Sequence, residues 1–235
     1  MNIAPFIFIG LLATFSMSWF GYVYRPTAEF SRQGPFVDPI TSAVYPVGRS
    51  GQAIQGAEVY RAQGCAACHT QQVRPSEEGN DLQRGFGTRR TVSTDYMLDR
   101  PPQLGAIRLG PDLANFGMRK TTNDVNWIYL HLLSPKAVVP KSNMPPYPYL
   151  FEKIDANSTK ADALSIPSEP KFKFLPKDEA KQLAAYLLSL KNEGSVFEAP
   201  QKRAAADTNA PAGGTNAPAG DTNAPAAPNT NAPTK

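Results

Sequence analysis

The stretch GCAACHTQQVRP, Gly64 to Pro75, contains both cysteines and one of the two histidines of this 235-residue chain. On a helical turn, two thiols three residues apart can reach the two vinyl groups along one edge of a porphyrin and form thioethers. The next residue, His69, can then project its imidazole over the ring and ligate the iron. Cys65, Cys68 and His69 therefore predict one covalently attached haem c, with His69 as an axial ligand.

Three other uses of the two cysteines are less consistent with the sequence. A thioredoxin-like C-x-x-C lies beside a βαβ pattern, and no such alternation is present. A zinc site of Cys65, Cys68, His69 and His131 would need distant histidines, whereas zinc fingers pair theirs closely. A structural disulfide would close a very short loop and add little stability.

The second axial position of the iron must be filled by another side chain or stay open for a gas. The candidates are Met97, Met118, Met144 and His131. Met144 lies in SNMPPYP, among prolines at 140, 145, 146 and 148 that forbid a helix and stiffen the loop. A core methionine is ordinarily a flexible gap filler on a helix or strand. Met144, held among prolines, does not fit that use, so we predict it as the ligand. His131, between two leucines on a helix, is interpreted as a hydrogen-bonded core or rim histidine.

Ligation by His69 and Met144 has a functional consequence. A thioether opposite an imidazole raises the reduction potential of the haem and leaves no iron position free for oxygen. We therefore expect an electron relay, with no catalytic residue in this chain.

Residues 3–24 carry no charge and are long enough to cross a bilayer core as a helix. Trp19, Tyr22 and Tyr24 cluster at the end of this run, where aromatic rings prefer the headgroup zone. A cleaved signal peptide is the alternative, since residues 16–18 loosely resemble a cleavage site. No basic residue precedes the apolar run, however, and the run continues past residue 18. We predict an uncleaved transmembrane anchor over residues 1–24.

The orientation of this anchor follows from the cofactor. Arg25 and Arg32 come after the apolar run, and a count of basic residues would place the rest of the chain in the cytoplasm. Haem c, however, is normally attached on the outer side of the bacterial cytoplasmic membrane. We therefore expect a single-pass protein of the inner membrane with its haem domain in the periplasm.

The remaining chain divides by composition. We predict an extended linker over 25–48, a mono-haem domain over 49–195 and a disordered tail over 196–235, in which TNAP occurs four times. Within the domain, residues 76–109 lack periodicity and are interpreted as a long surface insertion. Lys and Arg are scattered among Asp and Glu at a net charge of +4, so nucleic-acid binding is not indicated.

Three helices are predicted in the haem domain. The first, residues 50–64, is capped by Ser50, and the second, TTNDVNWIYLHLLSP, is closed by Pro135. The third is PKDEAKQLAAYLLSLKN. The residues at helical spacing are Ile54, Ala57, Tyr60 and Arg61 on the first helix, and Val125, Ile128 and Leu132 form one stripe on the second. The predicted buried stripe of the third helix is Leu183, Tyr186, Leu187 and Leu190.

Two of these helices resemble the crossed terminal helices of class I cytochromes c, in which a glycine, here Gly56, lets the backbones approach closely. Gly110-Pro111-Asp112-Leu113 resembles the GPxL element of the same fold. The resemblance implies an all-α class I cytochrome c domain. It also implies that the Pro111 carbonyl accepts the Nδ1–H of His69 and that Leu113 packs on the haem.

More specifically, the sequence resembles the mono-haem subunit II of cbb3-type cytochrome c oxidases. The shared pieces between residues 56 and 150 are GxxxY, GCxxCHxQxxRP, LGxxRxGPDLANxGxR and HLLSPKxVVPxSNMPPYPYL. The resemblance implies that the haem passes electrons toward a haem-copper subunit that reduces oxygen, in a complex with a further cytochrome c subunit. It also makes Arg74 a candidate partner of a haem propionate. The TNAP tail and much of 76–107 depart from the family pattern.

Two other functions are consistent with one anchor and one CxxCH. One is the haem c subunit of a nitric oxide reductase, although the QxxRP and SNMPPYP pieces favour the oxidase. The other is a haem sensor or catalytic module with an open iron site, which Met144 ligation would exclude.

Overall fold

The computed structural model describes residues 3–119 and 124–200, and helices account for about 40% of these residues. Two small antiparallel sheets of two strands each accompany the helices, which the all-α prediction did not include. The elements in chain order are α1 (Ala4–Trp19), α2 (Arg25–Ser31), β1 (Phe36–Val37), β2 (Val44–Tyr45), α3 (Gly51–Ala62), α4 (Val125–Leu133), α5 (Pro135–Val138), β3 (Phe151–Asp155), β4 (Phe172–Pro176) and α6 (Asp178–Ser189).

The N-terminal helix is longer than predicted. α1 continues through one widened π-helical turn, Phe20–Tyr24, into α2, and Ala4–Ser31 is long and apolar enough to cross a membrane. Pro26 explains the widened turn, because it has no N–H to donate to the preceding turn and its ring crowds the carbonyl there. Accordingly, the Arg25 N–H donates to the carbonyl of Phe20, five residues earlier. The predicted extended linker therefore does not begin at residue 25.

The second half of that predicted linker is a β-hairpin. β1 pairs with β2 so that Phe36 lies opposite Tyr45 and Val37 opposite Val44. Asp38 shapes the turn by accepting the Ile40 N–H at 2.7 Å. The other oxygen of the same carboxylate accepts the Ser195 N–H at 2.9 Å, which fixes the hairpin to the C-terminal end of the domain.

α3 and α6 cross at Gly56. A Cβ at this position would lie 1.9 Å from the carbonyl oxygen of Gln182, so only glycine permits this approach. The predicted cap is confirmed, since the Ser50 side chain accepts the Ala53 N–H. Of the residues predicted at helical spacing on α3, Tyr60 is buried and Ala57 is half-buried, whereas Ile54 and Arg61 are exposed. Ala53 and Gly56 are buried on the same face as Tyr60. The close backbone contact, rather than the most apolar side chain, determines which face is inside.

The predicted stripe of α6 is confirmed, and all four of its residues are buried. The bounds differ from the prediction. Pro176 completes β4 opposite Phe151, so α6 begins after Lys177, and it ends at Ser189, before Lys191. On α4, Ile128 and Leu132 are buried as predicted and Val125 is exposed, and Pro135 begins α5.

The region 76–109 is not simply a surface insertion. Asp81, Phe86, Arg89, Val92 and Asp95 are buried within it. Phe86 and Val92 pack in small apolar clusters with residues outside the region, and Asp81, Arg89 and Asp95 form ion pairs. A search for helical or strand periodicity does not detect such contacts.

A buried ion pair joins this region to the hairpin. Arg89 and Asp95, whose side chains are 2% and 0% exposed, form two parallel hydrogen bonds of 2.8 and 3.0 Å. The Tyr45 hydroxyl donates to the same carboxylate at 2.6 Å, and Arg89 Nε donates to the Gly194 carbonyl at 2.8 Å. Because these contacts satisfy the buried charges, the network fastens three distant chain segments together.

The C-terminal segment is ordered slightly further than predicted. Val196 and Ala199 are buried against Tyr45 and Val92, so the packed domain includes residues assigned by prediction to the tail from 196 onward. The TNAP repeats lie outside the described residues.

Candidate functional site

Cys65 begins a 3₁₀ turn, Cys65–Ala67, shortly after α3, and Cys68 is the residue that caps its end. Gly64 provides the left-handed conformation (φ 69°) that redirects the chain, and the His69 N–H closes the turn by donating to the Cys65 carbonyl at 2.9 Å. Cys65 and Cys68 form no disulfide and are half-buried. Burial raises the pKa of the Cys65 thiol to about 11, so this thiol is protonated at neutral pH.

The imidazole of His69 is held by the segment Gly110-Pro111. Its Nδ1 lies 2.8 Å from the Pro111 carbonyl oxygen. Because a carbonyl only accepts, Nδ1 carries the proton and Nε2 keeps a free lone pair. The ring also lies against Gly110, where a Cβ would come within 2.3 Å of Cε1. Burial lowers the pKa of His69, which favours the neutral ring that a metal requires.

Asp112 fixes this segment against the chain that follows His69. Its buried carboxylate accepts from the Thr70 hydroxyl and the Gln72 N–H at 2.7 Å each, and from the Ala114 N–H at 2.9 Å. Leu113 is buried in the main core, the apolar cluster that includes Ile128, Leu150 and Leu183. Its N–H donates to the Thr70 carbonyl at 2.8 Å. No role was predicted for Asp112, although an acid inside the otherwise apolar GPDLA stretch is a visible signal.

Met144 lies on the loop between α5 and β3. It is half-buried and packs against the main core, as Cys65 does. Its N–H donates to the Ser142 hydroxyl at 3.2 Å, and the Tyr147 N–H donates to the Leu132 carbonyl at 2.8 Å. The Tyr149 hydroxyl bonds the side chain of Gln63 at 2.6 Å, which joins the methionine loop to the residues just before Cys65.

His131 stacks on Trp127 of the same helix, with ring centroids 4.6 Å apart and planes 10° apart. Its Nδ1 is buried and has no hydrogen-bond partner among residues 3–119 and 124–200, whereas a hydrogen-bonded histidine was predicted. Burial, and the charge of His69, lower the pKa of His131 to about 4. His131 is therefore a neutral side chain at neutral pH.

Arg74, the predicted propionate partner, is bound to Asp81 through two contacts of 3.3 Å. Arg108 shares the same carboxylate at 2.6 Å. Burial alone would raise the pKa of Asp81, but the hydrogen bonds from Arg74 and Arg108 lower it below its ordinary value.

Arg119 is a further cation near His69, and sequence reasoning gave it no role. Its positive charge contributes to the lowered pKa of His69, and its guanidinium lies 5.2 Å from the ring centre of Phe86. It also donates to the Asp112 carbonyl. The available signal was its place as the last residue of LGxxRxGPDLANxGxR.

The chemistry of these residues fits a haem c. The chain offers two thiols on one turn, a neutral imidazole with a free Nε2, and a thioether in a proline-stiffened loop. Partly buried apolar side chains that a macrocycle could cover pack around the same core, namely Ala57, Val59, Ala66, Trp127, Leu130, Tyr147 and Leu188. The close fit of His69 against Gly110 fixes the ring plane before any metal is present.

The chain matches a known protein family. Residues 42–208 match the family described as "Cytochrome C oxidase, mono-heme subunit/FixO". The matched range covers more than half of the chain and contains the cysteine turn, the GPDL segment and the methionine loop. Comparison with individual curated proteins gave no significant match. The chain therefore belongs to the family of mono-haem subunits of cbb3-type cytochrome c oxidases.

Proposed function

We propose that this chain is the electron-relay subunit of a cbb3-type terminal oxidase, which passes electrons through one haem c toward the haem-copper catalytic subunit. A further cytochrome c subunit completes the proposed complex. The observation that carries the proposal is the imidazole of His69, bonded through Nδ1 to Pro111 directly after the cysteine turn. The family match, which is to an oxidase subunit, favours this function over a nitric oxide reductase subunit.

Each predicted site residue has a role in this proposal. Cys65 and Cys68 would hold the haem through thioethers, and His69 Nε2 and the Met144 sulfur would ligate its iron. When bound, the haem supplies one-electron transfer between ferrous and ferric iron. Pro111 keeps the imidazole in one tautomer, Leu113 supports the segment from the core side, and Arg74 adds positive charge for a propionate.

The residues around the ligands favour electron transfer rather than substrate chemistry. Asp112 holds the GPDL segment rigidly, and the Ser142 and Leu132 contacts hold the methionine loop. Ligands held in place by the protein change position little when the iron changes charge. Ligation of the iron by both His69 and Met144 would leave no position for oxygen, and oxygen reduction would then belong to the partner subunit.

We assign the haem domain to the class I cytochrome c fold and place it in the periplasm. The crossing of α3 and α6 at Gly56 and the GPDL segment beneath His69 support the fold. The helix Ala4–Ser31 supports a single-pass anchor, in this proposal in the bacterial inner membrane. The described residues between this helix and α3 contain a hairpin fixed to the domain, so the proposed boundary of the domain moves from residue 49 to the start of β1.

Replacement of Met144 by leucine tests the relay. The assembled oxidase is purified from detergent-solubilised membranes, and Met118→Leu, at an exposed position, is the matched control. Met144→Leu should abolish the near-infrared charge-transfer band of the ferric haem, lower its potential and slow oxygen uptake, because the sulfur ligand is lost. Unchanged spectra and oxygen uptake in Met144→Leu, or absence of a copper-containing subunit from the complex, would contradict the proposal.

A further inference from the structure

The segment between the membrane helix and α3 is unusually poor in charge. Of the 16 residues between Arg32 and Arg49, Asp38 alone is charged. Its side chain is turned inward, is only 3% exposed and is bonded to backbone N–H groups. The outer surface of this segment therefore carries no charged side chain.

The hairpin has one face toward the domain and one face outward. Phe36 and Tyr45 lie opposite each other on the inner face, with ring centroids 5.9 Å apart. Val37 and Val44 are also opposite each other, on the outer face, because neighbouring side chains of a strand alternate. We define the outer hairpin face as Val37, Ile40, Val44 and Val47, which are 63%, 58%, 57% and 71% exposed.

This face is held rigidly. The Tyr45 hydroxyl is bonded to the buried Arg89–Asp95 pair, and Asp38 is bonded to Ser195. Phe197, which is 98% exposed, lies beside the hairpin and lines one cleft with Gln33 and Phe36. Four exposed aliphatic side chains on one short, fixed segment without surface charge make this face unusually apolar for a surface in water.

The position of the hairpin in the chain indicates what covers this patch. The 28-residue helix Ala4–Ser31 is about 42 Å long, whereas a bilayer core is about 30 Å thick, so its last turns reach the headgroups. Four residues separate the helix from β1, which limits their separation to about 17 Å. The headgroup layer of the same leaflet is therefore within reach.

We propose that the outer hairpin face inserts into the headgroup layer of the membrane that α1 crosses. Aliphatic side chains without charge suit the boundary between headgroups and acyl chains. A specific protein interface would more often present Tyr, Trp or Arg at its centre. The hairpin is then a second membrane contact, which fixes the orientation of the haem domain relative to the bilayer. This inference depends on the membrane anchor and not on the haem.

A fluorescent label at Ile40 tests the insertion. Ile40→Cys is introduced into the assembled complex, labelled with an NBD maleimide, and reconstituted into phosphatidylcholine–phosphatidylglycerol vesicles. Nitroxide-bearing lipids quench labels in the bilayer, and aqueous iodide quenches labels in water. The control is Asn157→Cys, an exposed residue after β3 in the other hairpin. Wild-type complex provides the labelling blank, so a failure of thioether formation at Cys65 and Cys68 is detected separately.

The proposal predicts that the Ile40 label loses at least half of its fluorescence with nitroxide lipid and little with iodide. The Asn157 label should show the opposite pattern. Quenching of the Ile40 label by iodide alone would show a face in water and overturn the proposal. Protection from both quenchers would show a face covered by another subunit and would overturn it equally.

Discussion

The replacement Gly110→Ala tests whether the protein itself fixes the imidazole of His69. A Cβ at position 110 would lie 2.3 Å from Cε1 and 2.6 Å from Nδ1 of His69, whereas ordinary contacts begin at 3.4 Å. Gly110 does not have a left-handed φ, so the effect is steric. The ring or the backbone must move by about 1 Å, which can carry the 2.8 Å contact with Pro111 beyond hydrogen-bond range.

The expected cost has two parts. An extra methyl group in a packed site costs about 1–3 kcal/mol, and the lost hydrogen bond costs about 1 kcal/mol. The free energy of unfolding should therefore fall by about 2–4 kcal/mol. At about 2–4 °C per kcal/mol for a domain of this size, the melting temperature should fall by about 4–16 °C.

Circular dichroism melts of the full-length, haem-loaded protein in detergent measure this change, and visible spectra report the iron ligands. Gly51→Ala is the matched control, because its Cβ meets no atom within 4 Å. If Gly110→Ala melts within about 2 °C of wild type and keeps the same ferric spectrum, the imidazole is not held against Gly110 and the reasoning fails.

Three further changes test the fold around the site. Asp95→Ala leaves the buried Arg89 without its counter-ion, so chemical denaturation should show a loss of about 3–5 kcal/mol; a loss below about 1 kcal/mol would show a dispensable pair. Gly56→Ala should lower the melting temperature far more than Gly51→Ala, since its Cβ would lie 1.9 Å from a carbonyl oxygen of α6; equal melts refute the close crossing. The pKa of Asp81 in the folded protein lies below its ordinary value of 3.8. The ionised carboxylate therefore stabilises the fold above pH 3.8, and this stabilisation is lost as the pH falls through the folded-state pKa. Asp81→Asn should make the free energy of unfolding fall less steeply in acid than in wild type, and parallel curves of unfolding free energy against pH would contradict this.

Features of the fold that depend only on residues close in sequence could be predicted from the spacing of those residues. The CxxCH spacing predicts two thiols and an imidazole on one turn, and Ser50 and the stripe of α6 follow from capping and periodicity. The contact between His69 and Pro111, 42 positions apart, was available only through the resemblance of GPDL to a known element.

Other features could not be predicted because they depend on distant partners. Nothing near Tyr45 indicates that its hydroxyl bonds Asp95, 50 positions later, and nothing near Arg89 indicates a buried ion pair. On α3, Ile54 is exposed although it lies at helical spacing from the buried Tyr60, because the close contact at Gly56, expected from the resemblance, sets the buried face. Charged residues that pair in three dimensions look the same in sequence as charged residues in water.

The most direct test of the relay account is the intact mass of the unfolded polypeptide after acid-solvent extraction, which removes any haem that is not covalently bound. The account predicts the mass of the chain plus one haem, a pigmented band on a denaturing gel, and loss of both when Cys65 and Cys68 are replaced by alanine. The mass of the bare polypeptide, without pigment, would contradict the account at its foundation.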